Sequence, residues 1–295
     1  MERTITGLIR LTRYRDYVAQ TIITTLMGFL AYKVHLDLQQ IPRMLLVLLA
    51  NLLCVAFAFM INDVEDAPDD AYDKSKAARN PVTAGLLSPS SAYTFSIIVA
   101  ISSAVTFYFL GPVTFWLGIT SLVLAGLYSW RLLRLKSIPV IDLISHGLML
   151  AGLQLLCAYF AINPYAGFDA NWIAPFLFVV CISIRGQLFN QIRDFECDQK
   201  AGLKHTTSLV GIRTANILMS ALLIIAGIML IYSLIIQIIP IWLVLIVIPL
   251  GVVLLKKPAS KYKASQGLEK TYNFQKPVLI IGLISLTLWT LSRFI

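Results

Sequence analysis

The chain has 295 residues, 58% of them hydrophobic and only 13% charged, with a formal charge of +9 and a mean hydropathy of +0.79. A soluble domain carries about a quarter charged residues, so the composition excludes a water-soluble globule. Disordered, collagen-like and disulfide-scaffold chains fail on the same numbers, and the basic excess belongs to a membrane face rather than to nucleic acid.

Taken in chain order, Met1 to Asp16 holds four Arg and no cleavage-site pattern, so it reads as a retained cytoplasmic segment and not a signal peptide. Nine apolar runs follow, near 17–34, 43–61, 91–110, 113–130, 139–161, 171–190, 213–236, 239–255 and 277–294. Each approaches the roughly 20 residues that a spanning helix needs. None alternates like a barrel strand, so the expected fold class is an all-α membrane protein with nine transmembrane helices around a central cavity. Of the 24 Lys and Arg, 21 fall on one side of this topology; Lys33, Arg43 and Arg293 are the 3 on the other. The basic side is expected to be cytoplasmic, with the N-terminus inside and the C-terminus outside. Three of the four Cys (Cys54, Cys157 and Cys181) lie in apolar runs and Cys197 does not, and no paired spacing suggests a metal or a disulfide.

The acidic residues depart from this bland pattern. Six of the 15 lie between Asp63 and Asp73, and Asp194, Glu196 and Asp198 form a second group. Both groups follow an even-numbered span. Asn62, Asp66 and Asp70 align with Asn190, Asp194 and Asp198 at an offset of 128 residues, as N-x-x-x-D-x-x-x-D in each case. This weak repeat suggests two four-helix units, about 17–130 and 139–255, with 277–294 as an added helix. Residues four apart share a helix face, so Asp194 and Asp198 are expected to present two carboxylates one way. In the first motif Pro68 is expected to end or kink the helix near Asp66. Two facing carboxylate pairs suit hard, oxygen-seeking Mg²⁺ shared with substrate phosphates, and the scattered His35, His146 and His205 support no softer metal. The natural substrate then has a diphosphate head and a hydrocarbon tail.

Asn62-Asp63-x-x-Asp66-x-x-x-Asp70, the Asp194-x-x-x-Asp198 pair four spans later and the segment Arg79-Asn80-Pro81-Val82-Thr83-Ala84-Gly85 resemble the UbiA superfamily of intramembrane prenyltransferases. The resemblance covers nearly the whole chain as a single domain, 1–295. It implies short cytoplasmic cap helices in loops 2–3 and 6–7, and transfer of a prenyl group from a prenyl diphosphate to a lipophilic acceptor. It also implies Mg²⁺ held by Asp66, Asp70, Asp194 and Asp198, with Asp63 as a further candidate. Basic candidates for the diphosphate are Arg13, Lys74, Arg79, Arg134, Lys136 and Lys204, beside Asn62 and Asn190. The family's Tyr-x-x-x-Lys is present here only as Tyr128, because Leu132 stands where the Lys would fall and the basic pair Arg134 and Lys136 comes later. Tyr128 is the aromatic candidate for shielding an allylic cation.

Asp142 and His146, four apart at the start of the fifth span, are candidates for orienting or deprotonating the acceptor. The alternative is a helix cap and a packed ring. Glu65, Asp73 and Glu196 read as solvated. Two other functions remain open at this level. A terpene cyclase on the same scaffold would need no acceptor, and a cation transporter would need no diphosphate.

Overall fold

A backbone crossing lipid must satisfy its hydrogen bonds within the segment, and the apolar runs do so as helices. The computed structural model describes residues 2–32, 35–72, 74–163, 170–200, 202–255 and 268–295, and among these there is no strand. Lys33, Asp73 and the lysines at 256, 257, 261 and 263 lie outside the described residues.

Helix α1 (Glu2–Thr12) meets α2 (Tyr14–Leu30) at Arg13, whose backbone is left-handed (φ 49°). Then come α3 (Ile41–Asp70), the short α4 (Lys74–Arg79), α5 (Pro89–Tyr108) and α6 (Pro112–Ser129). The fifth run is α7 (Ile141–Gly147) continued through a π-helical turn (Leu148–Gly152) into α8 (Leu153–Ile162). The rest are α9 (Ile173–Arg193), the short α10 (Phe195–Lys200), α11 (Thr206–Ile235), α12 (Ile241–Leu255) and α13 (Leu268–Ser292). Among the described residues, the nine expected runs fall largely on helices. Six stretches among the described residues, those of α3, α5, α6, α7–α8, α9 and α11, are long and apolar enough to cross a membrane. Helix α2 has 17 residues, and the apolar stretches Ile241–Leu254 and Lys276–Ser292 are also shorter. Short helix α4 follows the first acidic motif and short helix α10 carries Asp198 of the second, in the loops where cap helices were expected.

Helix α3 is the centre of the first half. It packs against α2, α5, α6 and α8, and every residue of α8 is buried. Helix α2 approaches α8 at Gly28, where a Cβ would run into the Leu155 carbonyl and the Ala158 side chain. This is the small-residue contact that brings membrane helices together without a hydrophobic driving force. In the second half α9 pairs mainly with α11 and also touches α7.

One expectation is corrected here. Pro68 does not end α3 near Asp66; the helix continues to Asp70 with the proline inside it. The reason lies in donors from outside the helix. Asn80 Nδ2 bonds the Asp63 carbonyl at 2.7 Å, and Thr83 Oγ1 bonds the Ala67 carbonyl at 2.9 Å. These side chains give α3 donors beyond its own backbone on the N-terminal side of the proline.

At the opposite end of the bundle, the off-side arginines close helix termini. Arg43 gives Nε to the Ala161 carbonyl at 2.8 Å and Nη2 to the Leu110 carbonyl at 2.7 Å. Arg293 Nη2 donates to the Tyr32 carbonyl at 2.8 Å, and Gln40 reaches the Ile162 carbonyl. The last carbonyls of a helix have no partner within it, and guanidinium donors satisfy them. Arg43→Met should therefore lower stability by about 2–3 kcal/mol, since two charge-assisted bonds are lost. Thermal unfolding in detergent checks this, and an unchanged midpoint would show that water caps these carbonyls equally well.

Candidate active site

The end of α3 places its acids by the helical period. Asn62 and Asp66 are one turn apart, and Asp66, Asp69 and Asp70 close the helix. The partners come from the loop after α6, where the left-handed Arg134 (φ 42°) and a 3₁₀ turn at Leu135–Ser137 fold the chain back. Lys136 Nζ then meets Asp66 Oδ2 at 2.5 Å and Asn62 Oδ1 at 2.9 Å. Arg134 Nη2 lies 3.0 Å from Asp66 and 2.5 Å from Asp69. Leu132, at the position where the family's Lys would stand, is 79% exposed. The turn thus delivers Lys136 to the motif from eight residues beyond Tyr128. Burial pulls the Arg134 guanidinium down, but Asp69 and Asp66 together outweigh it and hold it above its ordinary value.

Asp63 and Asp70 face other partners. Asp63 is 1% exposed; its Oδ1 accepts from Arg13 Nη1 at 3.1 Å and its Oδ2 is buried without a hydrogen bond. Arg13 also holds Asp16 at 2.8 Å and lies over the Phe59 ring at 4.8 Å. Desolvation lowers the Arg13 guanidinium, and Asp63 and Asp16 more than offset this, leaving it raised. Asp70 accepts from Asn80 Nδ2 at 2.9 Å. Arg79 is exposed but within electrostatic reach of both Asp63 and Asp70.

The second motif spans a break between helices. Asp194 caps α9, with its amide on the Asn190 carbonyl, and the Asp198 amide bonds the Asp194 carbonyl, both at 2.9 Å. The i, i+4 ladder thus survives the break. Arg193 grips Asp194 at 2.9 and 3.0 Å. Asp198 lies 3.5 Å from Lys76 of α4 and 3.5 Å from His205 Nε2 at the start of α11. The Lys76 contact joins the cap after the first motif to the second motif. Lys74 and Lys204 are exposed.

Tyr128 is buried, accepts from Gln187 Nε2 at 2.8 Å, and is within electrostatic reach of Asp66, Asp142 and Asp198. His146 lies beside it, 6.2 Å between ring centres, with Nδ1 3.2 Å from Ser183 Oγ. Asp142 is fully buried and committed: its oxygens accept from Gln191, Leu143 and Thr206. Glu65, read as solvated, instead accepts the Arg131 amide, and Arg131 also holds Asp69 at 2.8 Å.

Sequence reasoning passed over Ser183, Gln187, Gln191 and Thr206. Asn80 carried a signal within the segment 79–85, and Arg131 carried one as a basic residue of the loop that holds Arg134 and Lys136.

Among the described residues no three His, Cys, Asp or Glu side chains group as a metal cage. The donors at hand are carboxylate oxygens in two separated pairs, with one buried oxygen of Asp63 lacking a partner. That set fits a hard cation sharing its coordination with phosphate oxygens, as Mg²⁺ does.

A model of the UbiA prenyltransferase family matches residues 21–275. Comparison with curated proteins gives no match. Among solved structures, a UbiA homolog from Archaeoglobus fulgidus bound to GPP and Mg²⁺ is similar, with TM-score 0.70, 21% identity, and coverage of 98% of this chain and 99% of that one. An apo UbiA homolog from Aeropyrum pernix K1 gives TM-score 0.72 at 15% identity, over 92% and 97% of the two chains. A structure of digeranylgeranylglyceryl phosphate synthase gives TM-score 0.69 at 19% identity, over 100% and 99%.

Asn80 is the joint between the two ends of the first motif. Asn80→Ala should cost about 1–3 kcal/mol for each buried acceptor left without a donor. Detergent melting curves of the variant and wild type test this, and coincident curves would remove Asn80 from the account.

Proposed function

The chain belongs to the UbiA prenyltransferase family, and from that premise we propose that it transfers a prenyl group from a prenyl diphosphate to a lipophilic acceptor, with Mg²⁺ as its cation. It is an integral membrane protein, with several helices long and apolar enough to span. The observation that carries the reading is the position of Asp66 between Arg134 and Lys136, while Lys76 reaches Asp198. Acids and cations of both motifs thereby meet at one end of an apolar bundle. Solved relatives holding GPP or DMAPP with Mg²⁺ support it.

Asp66, Asp70, Asp194 and Asp198 would hold Mg²⁺, with Asp63 behind them. When bound, Mg²⁺ neutralises the diphosphate and makes it a better leaving group. The bond between the allylic carbon and the diphosphate oxygen breaks, and its electron pair leaves with the diphosphate. Arg134, Lys136, Lys76 and Arg79 supply the positive charge that this developing anion needs. The allylic cation is stabilised by an aromatic face, the role assigned to Tyr128. An electron pair of the acceptor forms the new bond to that carbon, and the proton it releases passes to a base, the role assigned to His146. The basic loops are assigned to the cytoplasmic side, with the N-terminus inside and the C-terminus outside. The chain is read as one domain with quasi-repeats at about 17–130 and 139–255; the matching pairs α3 with α5 and α9 with α11 support this.

Pyrophosphate release by the detergent-purified protein tests the proposal, with geranyl, farnesyl and geranylgeranyl diphosphates and a pooled lipid and aromatic acceptor extract. Release should require Mg²⁺ and an acceptor fraction and vanish in the Asp66→Ala, Asp194→Ala double variant. Lys136→Met should lower kcat by about 10²–10³-fold, as loss of a positioned charge does. Release indifferent to both changes would overturn the assignment, and release without acceptor would favour a cyclase.

A further inference from the structure

Three elements of the site are tied together at one buried point. Asp142 Oδ2 accepts from Gln191 Nε2 at 2.6 Å and from the Thr206 amide at 2.8 Å. Its Oδ1 accepts from the Leu143 amide at 2.8 Å and from the Thr206 hydroxyl. The same Thr206 oxygen accepts from the Val140 amide at 2.7 Å. Gln191 Oε1 takes the Thr207 amide at 3.1 Å and its hydroxyl at 2.9 Å. Asp142, Gln191, Thr206 and Thr207 are all buried. A network of this kind is rigid because its buried members satisfy one another.

What it holds is informative. Val140 ends the loop that carries Arg134 and Lys136, and it is a β-branched residue at φ 71°, ψ −47°. That backbone is strained for any L residue with a branched Cβ and persists only where its surroundings enforce it. Gln191 precedes Asp194 by three residues on α9. His205, beside Asp198, immediately precedes Thr206.

We propose that Asp142, Thr206 and Gln191 form a positioning hub that fixes the basic loop (Arg134, Lys136) and the second acidic motif (Asp194, Asp198) in one register. They act through those groups and touch no substrate. The catalytic half of the inference rests on the prenyl-transfer reading; the structural half does not. Thr206→Val keeps the volume and deletes the hydroxyl that joins Val140 to Asp142, and Thr206→Ser restores it.

Two measurements on the full chain in detergent decide the matter. Hydrogen exchange in Thr206→Val should speed up together at amides 131–140 and 195–200, leaving α5 and α6 at wild-type rates. In the pyrophosphate-release assay kcat should fall about 10²-fold, the cost of misplacing reacting groups by around 1 Å, with the donor KM little changed. Thr206→Ser should recover both. Exchange that rises at only one of the two segments, rises everywhere, or stays at wild-type rates overturns the hub, as does a wild-type kcat in Thr206→Val. Should that variant not fold, Gln191→Ala removes one arm and is expected to show the same paired exchange with about a tenfold loss of kcat. A wild-type protein that releases no pyrophosphate from any donor refutes the prenyl-transfer reading, while the exchange pattern still decides the hub.

Discussion

A carboxylate at the end of an apolar helix is tolerated only where donors or cations replace the water it has lost. The whole acidic end of this molecule is arranged around that requirement. Asp66 has Lys136 and Arg134, Asp63 has Arg13, Asp70 has Asn80, and Asp198 has Lys76 and His205. These partners come from several separate stretches of chain. Neutralising the acids therefore also fastens the loop after α6, the segment after α4 and the start of α2 onto the end of α3. A diphosphate with its metal brings both signs of charge, and it suits a place where both signs already stand in register.

The backbone bears the cost of that arrangement. Among the described residues, four other than glycine have positive φ, and three of them, Arg13, Arg134 and Val140, border the acidic site. A left-handed L residue is disfavoured by roughly 1–2 kcal/mol. Arg13 recovers this through Asp63, Asp16 and the Phe59 ring, and Arg134 through Asp66 and Asp69. Val140 has no charge to offer and depends on Thr206. The far end of the bundle solves a different problem with the same residue type. There Arg43 and Arg293 meet helix-terminal carbonyls and no acids. Two of the three basic residues that break the charge asymmetry are thereby accounted for by backbone chemistry.

Much of the site was legible because its members are close in sequence or fixed by helical period. Asp66 follows Asn62 by one turn, and Asp198 follows Asp194 at a spacing that keeps the ladder bond even across a helix break. Arg134 and Lys136 stood out once Leu132 was seen to occupy the usual Lys position. The extension of α3 through Pro68 was not legible. It depends on Asn80 and Thr83, whose side chains return to the helix from 16 or 17 residues away. Asp142 could be recognised as unusual in a span, but its neighbours could not.

The sequence by itself determined the membrane environment, the helical class, the two acidic motifs and the chemistry that their oxygen donors favour. These depend on composition and on spacings within one helix, which local geometry converts directly into a shared face. The tertiary structure alone decided which cation meets which acid, and that Asp142, Gln191 and Thr206 share one buried hydrogen-bond network with the Val140 amide. Those contacts link residues some 50 to 120 positions apart, from Arg13 with Asp63 to Lys76 with Asp198. Separations of that length carry no periodic signal, and only the packing of one helix end against another brings such residues within hydrogen-bond distance.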